Sequence, residues 1–348
     1  MRKQKSAAEE MILYSEMFSR GMYRLHPKEV WSRIESPGQA AESSVLWNIL
    51  TEEKFHVRLD NARHARRYHE FLIRHPADSR YILWPLDVME YAPEVRSELY
   101  TLNHYSDKRP TEPQMNHMLL FPAEPEMRVG CDRILEGIPG KNWKQEEIRR
   151  LAAGILRCFD RINRDGYLYF DIHFSRFLTD SEKDELFLDF SGLIFPADGK
   201  PHTYAPLPGV VPVEFAHPDL ILGNTRTWES WQQNYSLTAM LFYLFIGRYA
   251  YDGRLMEGYP DDTMQNHYIK FRDYHRMPVF IFDEEDHSNH LGRFSSEQRT
   301  IALWEELPGE IRKAFTDVLC VRTGDAHREA AETMTPARWL ALLEGINE

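Results

Sequence analysis

Apolar residues recur with two different periods along this 348-residue chain. In the amino-terminal third the period is two: Phe55, Val57 and Leu59 alternate with His56, Arg58 and Asp60, as in a half-buried strand. A strand-rich section therefore spans Trp31 to Leu59, with turns at Ser36-Pro37-Gly38-Gln39 and Thr51-Glu52-Glu53-Lys54. Further strands are expected over Tyr81–Val88 and Met118–Pro122, a helix over Ala7–Phe18, and a short basic helix over Ala62–Arg74. From Gln145 the period becomes helical, with Ile148, Leu151, Ile155, Cys158 and Ile162 on one face and a stop at Asn163-Arg164-Asp165-Gly166. A proline-rich span runs from Pro196 to Pro218, and helices follow to the carboxyl terminus. The composition shifts near Phe121–Pro125, which divides the chain into a strand-rich part, 1–121, and a helical part, 122–348.

Two aspartates in short hydrophobic frames stand out: Tyr169-Phe170-Asp171-Ile172-His173 and Leu186-Phe187-Leu188-Asp189-Phe190-Ser191-Gly192. Each frame reads as a strand end followed by a turn. The polar link Asp180 to Glu185 lets the flanking strands fold back as a hairpin, so that both carboxylates share one cleft. Taken singly, each reads first as an ordinary strand-end aspartate capping a turn.

A hydrophobic content of 43% and an aromatic content of 13% supply a packed core, and a net charge of −12 argues against a nucleic-acid partner. Cys131, Cys158 and Cys320 are odd in number and far apart, which speaks against a disulfide framework or zinc knuckle and for a reducing compartment. The apolar run Leu237–Ile246 is too short to cross a bilayer and reads as a buried helix. With no signal-peptide pattern at the start, a cytoplasmic location and no membrane association are expected. His56, His64, His69 and His75 do not converge on one face as metal ligands would, and Asp283-Glu284-Glu285-Asp286 reads as a solvated acidic loop without a calcium-loop pattern.

The aspartate frames resemble the catalytic and metal-binding loops of the protein kinase superfamily, written HRDxxxxN and DFG. Glu214-Phe215-Ala216-His217-Pro218-Asp219 is similar to its APE segment, and Gln233–Leu237 with Leu244–Gly253 to its central helix and following glycine turn. The resemblance is best from Leu151 to Gly253 and extends back to Trp31. It implies an α+β, protein kinase-like bilobal fold with a small antiparallel-sheet N-lobe, a hinge and a larger helical C-lobe. By the same resemblance Asp171 is the catalytic carboxylate, Asp189 the magnesium ligand, and Arg58 the cation that grips ATP phosphates, paired with Glu70. The implied cofactors are ATP and Mg2+. The implied partner is a protein carrying a serine or threonine hydroxyl, or a partner protein in a bacterial signalling assembly; the oligomeric state is left open.

Several positions depart from that pattern. The asparagine expected five residues after the catalytic aspartate is Arg176, which has only donors and a fixed charge and so cannot ligate a metal. The stretch Ser36–Ser44 offers one glycine where a glycine-rich turn is expected, leaving Ser43, Ser44 and backbone amides as candidate anion contacts. Tyr169-Phe170 stands for His-Arg, and Gln233 for the central-helix aspartate, changes that bear on scaffold wiring. Three readings stay open: an active phosphotransferase in which Arg176 replaces the second metal's charge, a pseudokinase acting through its surface, and a kinase-fold nucleotidyl transferase. The segment Leu193–Val213 is where disorder and regulation are expected.

Overall fold

In the computed structural model the described residues are 11–14, 22–25, 43–48, 54–60, 73–74, 82, 84, 87–90, 117–122 and 128–130, then 145–170, 172–174, 177–180, 185–188, 194–203, 215–257, 273–321 and 325–345. The chain combines strands and helices in two units, Met1–Arg128 and Val129–Glu348. The division expected after residue 121 falls within the last strand of the first unit's sheet, short of that boundary.

Alternation in the amino-terminal third yields an antiparallel sheet. Its strands are β1 (Met11–Tyr14), β2 (Met22–Leu25), β3 (Ser43–Asn48), β4 (Lys54–Asp60), β5 (Asp87–Glu90) and β6 (His117–Pro122), in the order β1-β2-β3-β4-β6-β5. The expected strands at Phe55–Leu59 and Met118–Pro122 are β4 and β6, paired from Phe55 opposite Pro122 to Asp60 opposite His117. The helix expected over Ala7–Phe18 is not formed at Met11–Tyr14, which is a strand opposite Met22–Leu25. Four consecutive apolar residues carry no period that separates helix from strand, and pairing with β2 decides. The strand expected over Tyr81–Val88 begins only at Asp87, although Ile82 makes a bridge and Trp84 is buried. Residues 81, 83, 85 and 86 lie outside the described residues. Of the helix expected over Ala62–Arg74, Ile73 and Arg74 are helical and the rest lies outside the described residues, as do the Ser36–Gln39 turn and Thr51–Glu53.

In the second unit the helical period produces α1 (Gln145–Arg164), whose Ile148, Leu151, Ile155, Cys158 and Ile162 are all buried. The chain turns at Asp165-Gly166 into β8 (Tyr167–Tyr169). The expected hairpin is present: β9 (Phe177–Asp180) pairs antiparallel with β10 (Glu185–Leu188), and β7 (Arg128–Gly130) completes a sheet in the order β10-β9-β7. Within the segment expected to be disordered, β11 (Ile194–Pro196) pairs with β8 and β12 (His202–Thr203) pairs with β13 (Thr227–Trp228). Backbone groups at 194–196 and 202–203 thus have ladder partners, which argues for order there; residues 204–214 lie outside the described residues.

After the short α2 (Pro218–Ile221) comes α3 (Ser230–Ile246), in which every residue except Ser230 and Tyr243 is buried. An apolar surface on all sides demands neighbours all round. They come from α4 (Gln298–Glu306), α5 (Gly309–Leu319), α6 (Asp325–Thr333) and α7 (Pro336–Glu344), together with α1. Several polar side chains of α3 accordingly bond to protein, whereas Ser236 Oγ and Trp231 Nε1 are buried without a hydrogen-bond partner among the described residues. Asn234 Nδ2 donates to the Ala331 carbonyl at 2.9 Å, and Trp339 Nε1 donates to Thr238 Oγ1 at 3.1 Å. Tyr251 Oη donates to the Leu319 carbonyl at 2.9 Å and meets the Tyr235 hydroxyl, binding α3 to the end of α5.

The expected glycine cap is Gly247, at φ 73°, whose amide donates to Tyr243 O at 2.7 Å. Gly253 is constrained differently: a Cβ there would stand 2.0 Å from the Asn289 carbonyl oxygen. Asn289 holds the neighbouring turns by donating to Tyr251 O at 2.9 Å and Val279 O at 2.7 Å and accepting from Leu255 N at 2.8 Å. The acidic loop is also not simply solvated. Asp283 is 1% exposed and accepts from the amides of Glu285 and Asp286 at 2.9 and 3.1 Å, because its carboxylate closes the turn its own backbone makes. Denaturant unfolding should rank two substitutions: Gly247→Ala costs about 1 kcal/mol through the left-handed backbone, and Gly253→Ala costs more, about 3 kcal/mol, because backbone must move. Equal costs would contradict the Asn289 contact.

Candidate functional site

The loop that carries both aspartates leaves β8 at Tyr169 and returns at Ile194, and these two residues are backbone partners. Inside this closure lies the β9–β10 hairpin, whose open end pairs Phe177 with Leu188. Asp171, Arg176 and Asp189 themselves lie outside the described residues, but their described neighbours Phe170, Ile172, Phe177 and Leu188 are all buried. The chain is therefore anchored in the core on both sides of Asp171 and immediately before Asp189.

The anchors have identifiable causes. Gln233 of α3 is fully buried; its Oε1 accepts from the Tyr169 amide at 2.7 Å and its Nε2 donates to Asn163 Oδ1 at 2.8 Å. One side chain thus ties β8, the end of α1 and α3 together. Phe170 packs edge-on against Trp228 at 4.8 Å, and Phe159 of α1 touches both Tyr169 and Phe177 at 6.0 Å. On the far side of the hairpin Cys158 Sγ donates to the Leu186 carbonyl at 3.5 Å, and the absence of a Cβ at Gly154 leaves room for the Leu186 side chain. Cys158 and Cys320 are buried.

In the first unit the three phosphate-contact candidates are neighbours by register. Arg58 of β4 faces Ser43 of β3 and Leu119 of β6, and Ser44 faces Val57. Glu70, expected to pair with Arg58, lies outside the described residues. Among the described residues, no group of three or more His, Cys, Asp or Glu side chains is arranged to hold a metal ion, and no helix is long and apolar enough to cross a membrane.

A second polar cluster, unforeseen from the sequence, lies at the APE-like segment. His217 caps α2 and is 1% exposed; its Nε2 is 3.0 Å from Nε2 of His327 on α6, which is 8% exposed. The rings stack at 5.1 Å, and Trp231 and Tyr235 stand edge-on to His217 at 5.0 and 4.8 Å. Burial pushes His217 down to about 3, the Asp219 carboxylate opposes this, and His327 and His275 add to it. The partners are 110 residues apart, so no local pattern announces them.

No family model matches the chain, and no curated protein matches it. The Gln233 contact makes a testable claim: Gln233→Leu leaves the buried Tyr169 amide and Asn163 without their partner. Chemical denaturation should show a loss of about 2 kcal/mol, with hydrogen exchange accelerated at residues 167–169. An unchanged stability would contradict the anchoring role.

Proposed function

We propose that the chain is a protein kinase-like protein of bilobal fold that transfers phosphate from ATP, with magnesium, to a serine or threonine hydroxyl of a protein. The observation that carries this reading is the pairing of Tyr169 with Ile194 around the β9–β10 hairpin. The described strand, hairpin and returning strand follow one another along the chain with the two aspartate motifs between them, which supports that reading. The Gln233 bond to the Tyr169 amide supports the same reading, since it fixes the strand that leads into Asp171 from the central buried helix. The register of Ser43 opposite Arg58 supports a phosphate contact built from β3 and β4.

In this reading Asp171 accepts the proton of the attacking hydroxyl and orients its oxygen. Asp189 supplies the carboxylate for magnesium, a hard cation suited to oxygen ligands. When bound, the metal neutralises charge on the nucleotide phosphates. Arg58 adds a fixed positive charge and paired N–H donors, and Glu70 orients it. Arg176 has no lone pair for a second metal, so its guanidinium serves as a cation over the transferring phosphoryl group.

The same Arg176 favours a second reading, a pseudokinase that acts as a scaffold or allosteric partner, because the position keeps charge and loses ligation. Labelled phosphate transfer and thermal shift separate the two. A nucleotide at about 100 times its Kd stabilises the protein by about 2.7 kcal/mol, a rise of several degrees in Tm. The active reading expects that rise with ATP and magnesium, together with transfer of the γ-label that falls at least about 100-fold in Asp189→Ala. A Tm shift without transfer points to the pseudokinase, label from the α-phosphate points to nucleotidyl transfer, and the absence of both shift and transfer overturns the nucleotide site.

A further inference from the structure

We propose that His217 and His327 form a proton-sensitive latch that holds the segment from Phe215 to Leu222 on α3 and α6 and releases it on acidification. This latch stands independently of the phosphotransfer reading. Its geometry fixes where the protons are. Nδ1 of His217 accepts from the Asp219 amide at 3.2 Å, so the neutral ring carries its proton on Nε2. That proton is directed at Nε2 of His327, 3.0 Å away, which must then be an acceptor. Both rings are therefore neutral in the closed arrangement, with one proton lying between the two facing nitrogens.

A proton added at His327 Nε2 sets one N–H against another. One added at His217 Nδ1 sets an N–H against the Asp219 amide and removes the cap of α2. Either event breaks a bond of the latch. A second charge would then lie in a ring stacked 7° from parallel with the first, in a site nearly closed to water.

Among the described residues, the groups facing His217 leave the balance against charge. From α2, Asp219 Oδ2 lies 3.7 Å from His217 Nδ1, but that side chain is 50% exposed and its attraction is screened. From α3 come the rings of Trp231 and Tyr235, the latter a phenol that burial keeps neutral. From residues 273–276 comes His275, whose charge would repel. From α6, beside His327, comes Arg328; its guanidinium lies over Trp231 at 5.2 Å and pairs with Glu229 and Glu332. For His217, among the described residues, one screened carboxylate thus opposes burial and two further imidazoles.

What the latch holds is also defined. Phe215 stacks edge-on with Phe174 at 5.4 Å, three residues past Asp171 in the chain, and contacts Tyr243 and Tyr249. The amides of Leu220 and Ile221 donate to His217 O, and that of Leu222 to Pro218 O. Opening removes cover from Phe174 and exposes those amides to exchange.

The sign follows from linkage. The closed segment resists protonation while the open one binds protons near the ordinary histidine value, so closure is fully stable above about pH 6.5 and weakens as pH falls below it. Hydrogen exchange of Leu220, Ile221 and Leu222 in the full chain, corrected for intrinsic rates, should lose protection by up to about 100-fold per pH unit below about pH 6, the signature of two protons. In His327→Gln, whose amide oxygen still accepts from His217, the loss should fall to at most about tenfold per unit. In the double variant His217→Asn with His327→Gln, protection should not vary with pH. Equal slopes in wild type and His327→Gln would overturn the latch. If a variant fails to fold, ring-nitrogen NMR of the wild type decides. Retention of the Nε2–H tautomer of His217 to about pH 5 supports the latch, and titration of either ring near pH 6.5 in the folded protein overturns it.

Discussion

Burial of the Gln233 side chain is the constraint on which the second unit depends. An amide in the core must satisfy its oxygen and nitrogen within the protein, and only a fixed meeting of three elements does so here. Tyr169 supplies a backbone donor from β8, Asn163 supplies an acceptor from the last turn of α1, and α3 holds the glutamine between them. Because α3 is enclosed almost entirely, it cannot turn or slide without breaking its other polar contacts to Ala331 and Trp339. The position of β8 is thus set by the carboxyl-terminal helices, far along the chain from it.

That mechanical link gives the loop from Tyr169 to Ile194 a rigid base. Its two ends are paired with each other, its hairpin is packed on α1 through Phe159 and Cys158, and Phe170 is pinned by Trp228. Phosphoryl transfer asks a protein mainly to hold charges in position, and loops mounted on fixed strands suit that demand. The histidine pair serves the same economy of parts at the other border of the loop region, since Phe215 closes over Phe174 while His217 is held by His327.

Much of this was legible in the sequence, for reasons that differ by element. The apolar spacing of Ile148, Leu151, Ile155, Cys158 and Ile162 specified α1 and its buried face, and Asp180–Glu185 marked the hairpin because polar residues interrupt two apolar runs. Gly247 announced the end of α3, since only a residue tolerant of positive φ closes a helix that way. Met11–Tyr14 misled because a short apolar run fits either a helix or a strand until its partner is known. Asp283 misled because neighbouring charges suggest exposure, whereas its carboxylate is used up by the amides that follow it. His217 and His327 belong to segments with no shared pattern, and only the packing of α2 on α6 joins them.

The central claim is that a metal-nucleotide site lies where the loop leaves β8 and β10. Paramagnetic relaxation by Mn2+ with ATP, as a stand-in for magnesium, measures this directly in a backbone NMR spectrum. The account predicts selective broadening of the amides of Phe170, Ile172 and Leu188, abolished in Asp189→Asn. Broadening centred elsewhere, such as the acidic turn at Asp283–Asp286, or no selective broadening at saturating nucleotide, would contradict it.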